Sequence, residues 1–462
     1  MSFTSRKKSN KVKKLLVYIV VLLIVGITAF VFLSPTFEKN APKVEFSQDK
    51  FWNFKKPLEI KFSDDNEIKS YKVAYFDGKE LKKLETKVLN NNGKEILVEV
   101  IPPKFNRLQT APKQIVLKTE VIDNSKWNFF KGNITREDIN IDIDRKNPVA
   151  NVIANSYLIR QGGSASVVVE VKDENLKDFY ISFNDEERFE LIPFYKKNFY
   201  MAIVAWPVTI EEFKRVNLVA IDKAGNKTTT KVPYYIKNLN VKVDDIKISS
   251  SFVNKVSKNV LSKSGYDIPD GIAEAFVMAN KDLRAENVKI IKDVSRQNLD
   301  YSIVTSFDLD AFNQLRGSKT FSRYAERRHY YYNGKKIDEA WHLGMDWASI
   351  RNAKIYVTNP GRVVFKEYLG IYGHTAIIDH GFGLSTLYAH TSKLNVELND
   401  FVNAKEHIAN TGSTGAVFGD HLHFGVLVQG LEVNPLEWMD KKWIDINIKK
   451  ILNQAKKVID TK

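Results

Sequence analysis

No cysteine occurs in the 462 residues. Disulfides and thiolate metal sites are therefore excluded, which suits an exported chain that needs no cross-links but names no compartment. No acidic residue occurs among the first fourteen positions, where Arg6, Lys7, Lys8, Lys11, Lys13 and Lys14 supply six of the +15 net charge. The rest of that charge is spread along the chain without a compact arginine-rich patch, so nucleic acid is not expected as a partner. No charge interrupts Leu15 to Leu33, and no His-Glu-x-x-His motif is present. Histidine is scarce: all eight fall between His329 and His423.

Leu15 to Leu33 reads LLVYIVVLLIVGITAFVFL, long enough to cross the hydrocarbon core as a helix. The lysines before it predict a cytoplasmic residue 1–14 segment and an exported remainder. A cleaved signal would end in a small-x-small site, and Val31-Phe32-Leu33-Ser34-Pro35 offers none. The run is expected to stay as a single-pass anchor in the cytoplasmic membrane, with the bulk in the periplasm or on the outer face.

Residues 41–145 alternate with the period of strands, as in Leu58-Glu59-Ile60-Lys61-Phe62 and Ser70 to Tyr75, with turn signals at Asp77-Gly78 and Asn91-Asn92-Gly93. Residues 146–240 repeat the theme. Ala165 to Val171 is rich in β-branched residues, Asn175 to Phe179 echoes Asn66 to Tyr71, and Val219 to Asn226 resembles the last hairpin of bacterial immunoglobulin-like domains. Two tandem Ig-like β-sandwiches are expected, as a spacer from the membrane or as a docking surface for a partner. Asp144 to Pro148 reads as a joint. Over 241–300 the period changes: Ile272, Phe276, Ala279 and Leu283 form a helical stripe with Asp270 as its N-cap. Residues 301–440 return to strand-like sequence. Beyond them, over 441–462, Ile444, Ile448, Ile451, Ala455 and Ile459 form an amphipathic stripe expected to pack on its own domain, residues 301–440. The fold class is mainly β and multi-domain.

His342 and Asp346 stand four apart, His390 follows Tyr388-Ala389, and His421 and His423 are separated by one residue. On a strand, that last spacing puts both imidazoles on one face. A histidine cluster with a carboxylate and no cysteine suits a hard-to-borderline metal. An iron oxygenase triad would have His-x-Asp spacing, which is missing. His342 and Asp346 could share a helix face, but Gly344 between them argues for a loop or strand end.

These three motifs, in this order, resemble those of the lysostaphin or LytM-type zinc metallopeptidases of family M23. The flanking Gly373 to Gly381, Gly412-Ser413-Thr414-Gly415 and Val433-Asn434-Pro435-Leu436 also match. The resemblance implies Zn2+ held by His342, Asp346 and His423, with His390 and His421 as the catalytic pair that orients and deprotonates water and stabilises the oxyanion. It implies hydrolysis of peptide bonds in peptidoglycan stem peptides or cross-links, as endopeptidase or carboxypeptidase. The alternative is a non-catalytic regulator or scaffold of wall amidases, and the partner docked on the Ig-like domains is then expected to be a wall-machinery protein. His329, His374, His380 and His407 are expected to be structural or surface residues. The family's Ser-x-Phe-Gly-x-Arg signature is blurred here, between Phe321 and Arg328, which bears on groove shape rather than on metal chemistry.

Overall fold

The computed structural model describes residues 11–46, 50–89, 93–104 and 111–462. Arg6, Lys7 and Lys8 of the basic segment, and Asn91 and Asn92 of an expected turn, lie outside the described residues.

Lys11–Leu33 forms one helix, and none of its 23 residues is buried. At 1.5 Å per residue it is about 35 Å long, enough for the ~30 Å core of a bilayer. The chain divides into two compact units, one of residues 1–147 with 221–226, the other of 148–220 with 227–462.

In the first unit a three-stranded sheet and a five-stranded sheet close over one core. Leu58–Ser63 and Ile68–Phe76 alternate buried and outward residues, as their period-two pattern requires. Ile60 and Phe62 of one sheet meet Tyr71, Val73 and Leu117 of the other.

The second unit begins with two four-stranded sheets built from Val149–Asn155 to Lys227–Lys231. The sequence treats this sandwich and residues 301–440 as separate domains. In the structure they share one hydrophobic core, in which Val204 and Trp206 belong with Phe307, Phe424 and Trp438. Polar contacts fasten the same junction: the Ser164 backbone N–H donates to Glu437 at 2.7 Å, and Trp438 Nε1 donates to Ser164 Oγ at 3.1 Å. A Cβ on Gly163 would stand 2.5 Å from Glu437 Oε1, so glycine permits the approach. Burial pushes the Glu437 carboxyl up to about 7.

Three expectations need correcting. The connector is not helical throughout: Lys242–Lys247 is a strand, paired in parallel with Glu326–Tyr332. Only that tertiary partner makes it one, because its burial does not mark a core-facing stripe. Asp270 is not the helix cap. Gly271 is, in an extended conformation, with Glu274 so close that a Cβ would lie 2.8 Å from its Oε2. The stripe itself packs inward, Phe276, Ala279 and Leu283 joining Ile371, Tyr372 and Leu387 in a core. Finally, the amphipathic tail packs on the second sandwich. The Asn447 carbonyl accepts from Ser156 and Ser166 at 2.8 and 2.5 Å, and helix Lys450–Asp460 lies against strands Val149–Asn155 and Ser164–Lys172.

The C-terminal β-rich region is organised by one eight-stranded sheet. Its centre runs Met345–Ala348, Leu422–Val428, Leu384–Thr391, Gly373–Asp379 and Gly361–Leu369, every neighbour antiparallel.

Candidate metal centre

Antiparallel register brings the site together. Asp346 pairs directly with His423, and Ala389 pairs with His423 from the other side. His342 ends strand Lys335–His342, so the turn through Gly344 returns the chain to Asp346. A Cβ on Gly344 would lie 2.5 Å from His423 Nε2 and 2.7 Å from the Phe424 carbonyl oxygen. Only glycine lets the turn pass so close under the imidazole.

His342 Nε2, His423 Nδ1 and one oxygen of Asp346 converge. His342 Nε2 is 3.0 Å from Asp346 Oδ1 and 3.2 Å from His423 Nδ1, and His423 Nδ1 is 2.9 Å from Asp346 Oδ1. All three residues are buried. His342 Nδ1 donates to the Arg323 carbonyl at 2.8 Å, which leaves a lone pair on Nε2 in the neutral ring. That lone pair faces a carboxylate oxygen, an arrangement that calls for a cation between them. Four-coordinate zinc with ~2.1 Å bonds needs donors about 3.4 Å apart, close to the observed triangle. The donor set therefore fits zinc.

Electrostatics agree with donation. Burial alone would raise the Asp346 carboxyl, but His342, His421 and His423 hold it well below the usual range. Burial lowers His423 to about 4, against the pull of Asp346, so its ring is neutral near pH 7.

His390 and His421 stand beside this triangle with ring centroids 4.9 Å apart. His390 Nδ1 donates to the Thr414 carbonyl at 2.9 Å and His421 Nδ1 to the Gly419 carbonyl at 2.9 Å. Each ring therefore keeps Nε2 free, and His421 Nε2 lies 3.6 Å from Asp346 Oδ1. Burial pushes His390 well below its ordinary value, helped by His421 and His423. Burial also works against charge on His421, but Asp346 outweighs it and raises that imidazole. His390 adopts φ 60°, a left-handed conformation rarely used by a side chain of this size.

All five site residues expected from the sequence thus meet in one place. The other described histidines do not join them. His380 is buried between the Pro360 carbonyl and the Thr386 hydroxyl, and burial lowers it to about 4. His407 bonds Asn395 and Asn410. His329 pairs with Asp245 and Glu339, and His374 is exposed beside Tyr368.

Other neighbours escaped the sequence. Arg328 approaches Asp346 Oδ2 at 3.7 Å, and the Tyr372 ring stands 5.7 Å from His423. Glu326 Oε1 accepts from Arg323 N at 3.0 Å, steadying the carbonyl that orients His342. Arg328 and Glu326 sit in the blurred signature, the one sequence hint of their place. A cavity of about 680 Å³ covers the centre, and the connector supplies Phe252, Phe276, Asn280 and Arg284 to its lining. Phe252 stacks on Phe418 at 4.3 Å, closing one side.

A family model for peptidase family M23 matches residues 340–435. The DD-carboxypeptidase/endopeptidase Mpg of Neisseria meningitidis serogroup B is 36% identical over 95 residues, 21% of this chain and 22% of that protein. Lipoprotein NlpD of Yersinia enterocolitica is 36% identical over 98 residues, 21% of this chain and 100% of that sequence. The murein hydrolase activator NlpD of Salmonella dublin is 34% identical over 116 residues, 24% of this chain and 30% of that protein. The chain thus spans about a fifth of the length of the Neisseria relative.

Proposed function

Because this chain belongs to peptidase family M23, we propose that it is a membrane-anchored zinc peptidase that hydrolyses peptide bonds in peptidoglycan stem peptides or cross-links. The observation that carries this reading is the convergence of His342, Asp346 and His423 on one point, with the free Nε2 atoms of His390 and His421 beside it. Zinc held by the three would supply Lewis acidity toward a carbonyl and toward water. His390, kept neutral by burial, accepts the proton of the attacking water at Nε2. His421, whose imidazole holds its proton more tightly, donates from Nε2 to the oxyanion as the C–O bond forms. As the C–N bond breaks, the proton taken up passes to the leaving amine. The cavity of about 680 Å³ receives the peptide, with exposed Phe321 and Phe418 at its rim. Helix Lys11–Leu33 holds the enzyme to the cytoplasmic membrane, with the N-terminus inside and residues 41–462 exported.

The likeness to the NlpD proteins favours a second reading, in which the same fold regulates a wall hydrolase without cutting. Zinc content and digestion of purified cross-linked muropeptides, measured side by side, separate the two. Wild type is expected to bind one zinc and cleave; His342→Ala, Asp346→Ala and His423→Ala are expected to lose both. A zinc-loaded wild type that leaves every muropeptide intact would overturn the enzyme reading.

A further inference from the structure

The first unit carries a feature that neither its core nor the catalytic chemistry uses. Trp127–Phe130 forms a single turn in which Asn128, Phe129 and Phe130 adopt φ values of 52°, 56° and 68°. Bulky aromatic residues rarely accept that left-handed conformation. Here it turns the rings outward: Phe129 is 95% exposed and Phe130 68% exposed. Soluble surfaces seldom present adjacent aromatic rings this fully to water.

The turn is fastened to the end of the apolar helix. Lys126 N donates to the Thr36 carbonyl at 2.8 Å, and Ser125 Oγ and Asn133 Nδ2 both donate to the Glu38 carbonyl, at 2.7 and 2.9 Å. Its rings continue those of the helix. Trp127 packs edge-on against Phe32 with centroids 6.0 Å apart, and Phe130 meets Phe37 at 6.3 Å, which in turn meets Phe30 at 6.0 Å. Lys39 Nζ lies 3.9 Å from the centre of the Phe32 ring and 4.6 Å from that of Trp127. Lys126 and Lys131 flank the turn, both exposed.

We infer that Trp127–Phe130 is a second membrane contact, seated in the interfacial layer of the leaflet where helix Lys11–Leu33 emerges. The inference rests on the reading of that helix as a retained span. Amphipathic aromatic rings concentrate at this depth, between acyl chains and headgroups. Lys39, Lys126 and Lys131 then face lipid phosphates, a contact that anionic lipid strengthens. The partner is the lipid surface itself. One tethering helix leaves a domain free to swivel; a second contact beside it fixes which side of the first sandwich faces the bilayer.

The absence of native cysteine makes the test direct. Phe129→Cys in the full chain gives a single attachment point for an environment-sensitive fluorophore, at a side chain whose exposure means that no packing is lost. Leu81→Cys is the control. It is 62% exposed and pairs with Phe76, at the opposite end of strand Ile68–Phe76 from the end that pairs with Asp123. Both proteins are reconstituted in vesicles of phosphatidylethanolamine and phosphatidylglycerol. The label at 129 is expected to shift to shorter wavelength and to be quenched by brominated acyl chains, and the label at 81 to do neither. A chain that floats with the vesicles after an alkaline wash, but whose 129 label stays as wet as the control, overturns the second contact and leaves the span standing. A chain that does not float overturns both.

Discussion

Gly344→Ala tests the geometry of the metal centre without touching any ligand. The new Cβ would meet His423 Nε2 at 2.5 Å, His423 Cε1 at 2.6 Å and the Phe424 carbonyl oxygen at 2.7 Å, where ordinary contact begins at 3.4 Å. The Phe424 carbonyl cannot yield, because strand Leu422–Val428 is paired to Met345–Ala348 and Leu384–Thr391 on its two sides. The turn between His342 and Asp346 must therefore lift away from the strand, or drag the imidazole with it, by roughly an ångström. A shift of that size takes Nδ1 out of the triangle it forms with His342 and Asp346. Displaced supports of metal ligands typically cost ~10–100-fold in metal affinity, and misplacement by about 1 Å costs on the order of 10²-fold in rate. Overpacking should also lower stability by about 1–3 kcal/mol. Zinc affinity from chelator competition and turnover of a cross-linked muropeptide are the readouts, with a far-ultraviolet spectrum to show that the fold persists. Gly419→Ala, close by but with nothing within 4 Å of its Cβ, is the matched control. Wild-type zinc affinity and turnover in Gly344→Ala would refute the placement of His423 as a ligand held over this turn.

His390→Ala and His421→Ala should keep about one zinc per chain while turnover falls ~10²–10⁴-fold each; zinc loss in either would reassign that residue to the metal. Glu437→Gln should flatten the pH dependence of stability. The folded carboxyl is raised to about 7 from its ordinary 4.5, so its contribution is fully present below pH 4.5 and is lost as pH rises through 7. For a group this buried the loss amounts to about 3 kcal/mol at most. Urea midpoints at pH 5 and pH 8 should converge in the variant relative to wild type, and equal pH sensitivity in the two would exclude Glu437 as the cause. Reporter fusions should be active in the cytoplasm when placed before Leu15, and only outside it when placed after Lys462; a C-terminal fusion active in the cytoplasm would remove the anchor reading.

What could be read from the sequence was whatever short-range pattern encodes. The charge-free run preceding Pro35, the alternation in Leu58 to Phe62 and the His-x-His spacing each report their surroundings within a few residues. The five site residues were legible because the spacing of chemically scarce groups survives in the chain. Strand Lys242–Lys247 was not legible, since its pairing partner begins at Glu326 and its own side chains are mostly exposed. The shared core of sandwich and catalytic region was equally hidden. A buried Val204 or Trp438 announces that it is inside, not whom it meets. The connector's place over the cavity follows from the same kind of distant packing, with Phe252 reaching Phe418 across 166 positions of sequence, the difference of their numbers. Asp270 misled because a good capping side chain stood one residue ahead of the extended Gly271 at which the helix begins.

The docking of the tail on the second sandwich sets an order of assembly. Ser156 and Ser166 are satisfied by a carbonyl that lies 291 and 281 residues further along the chain. During synthesis, the sandwich therefore emerges with an apolar face that Ile448, Leu452 and Ala455 have yet to cover. Contacts of such long range close late, because the intervening chain must be gathered first. The catalytic sheet, made in the interval, takes shape beside a sandwich that is still unsealed. The unit reaches its final packing only when the tail arrives, so the sheet that carries the metal centre is not fully seated until the last helix has been made.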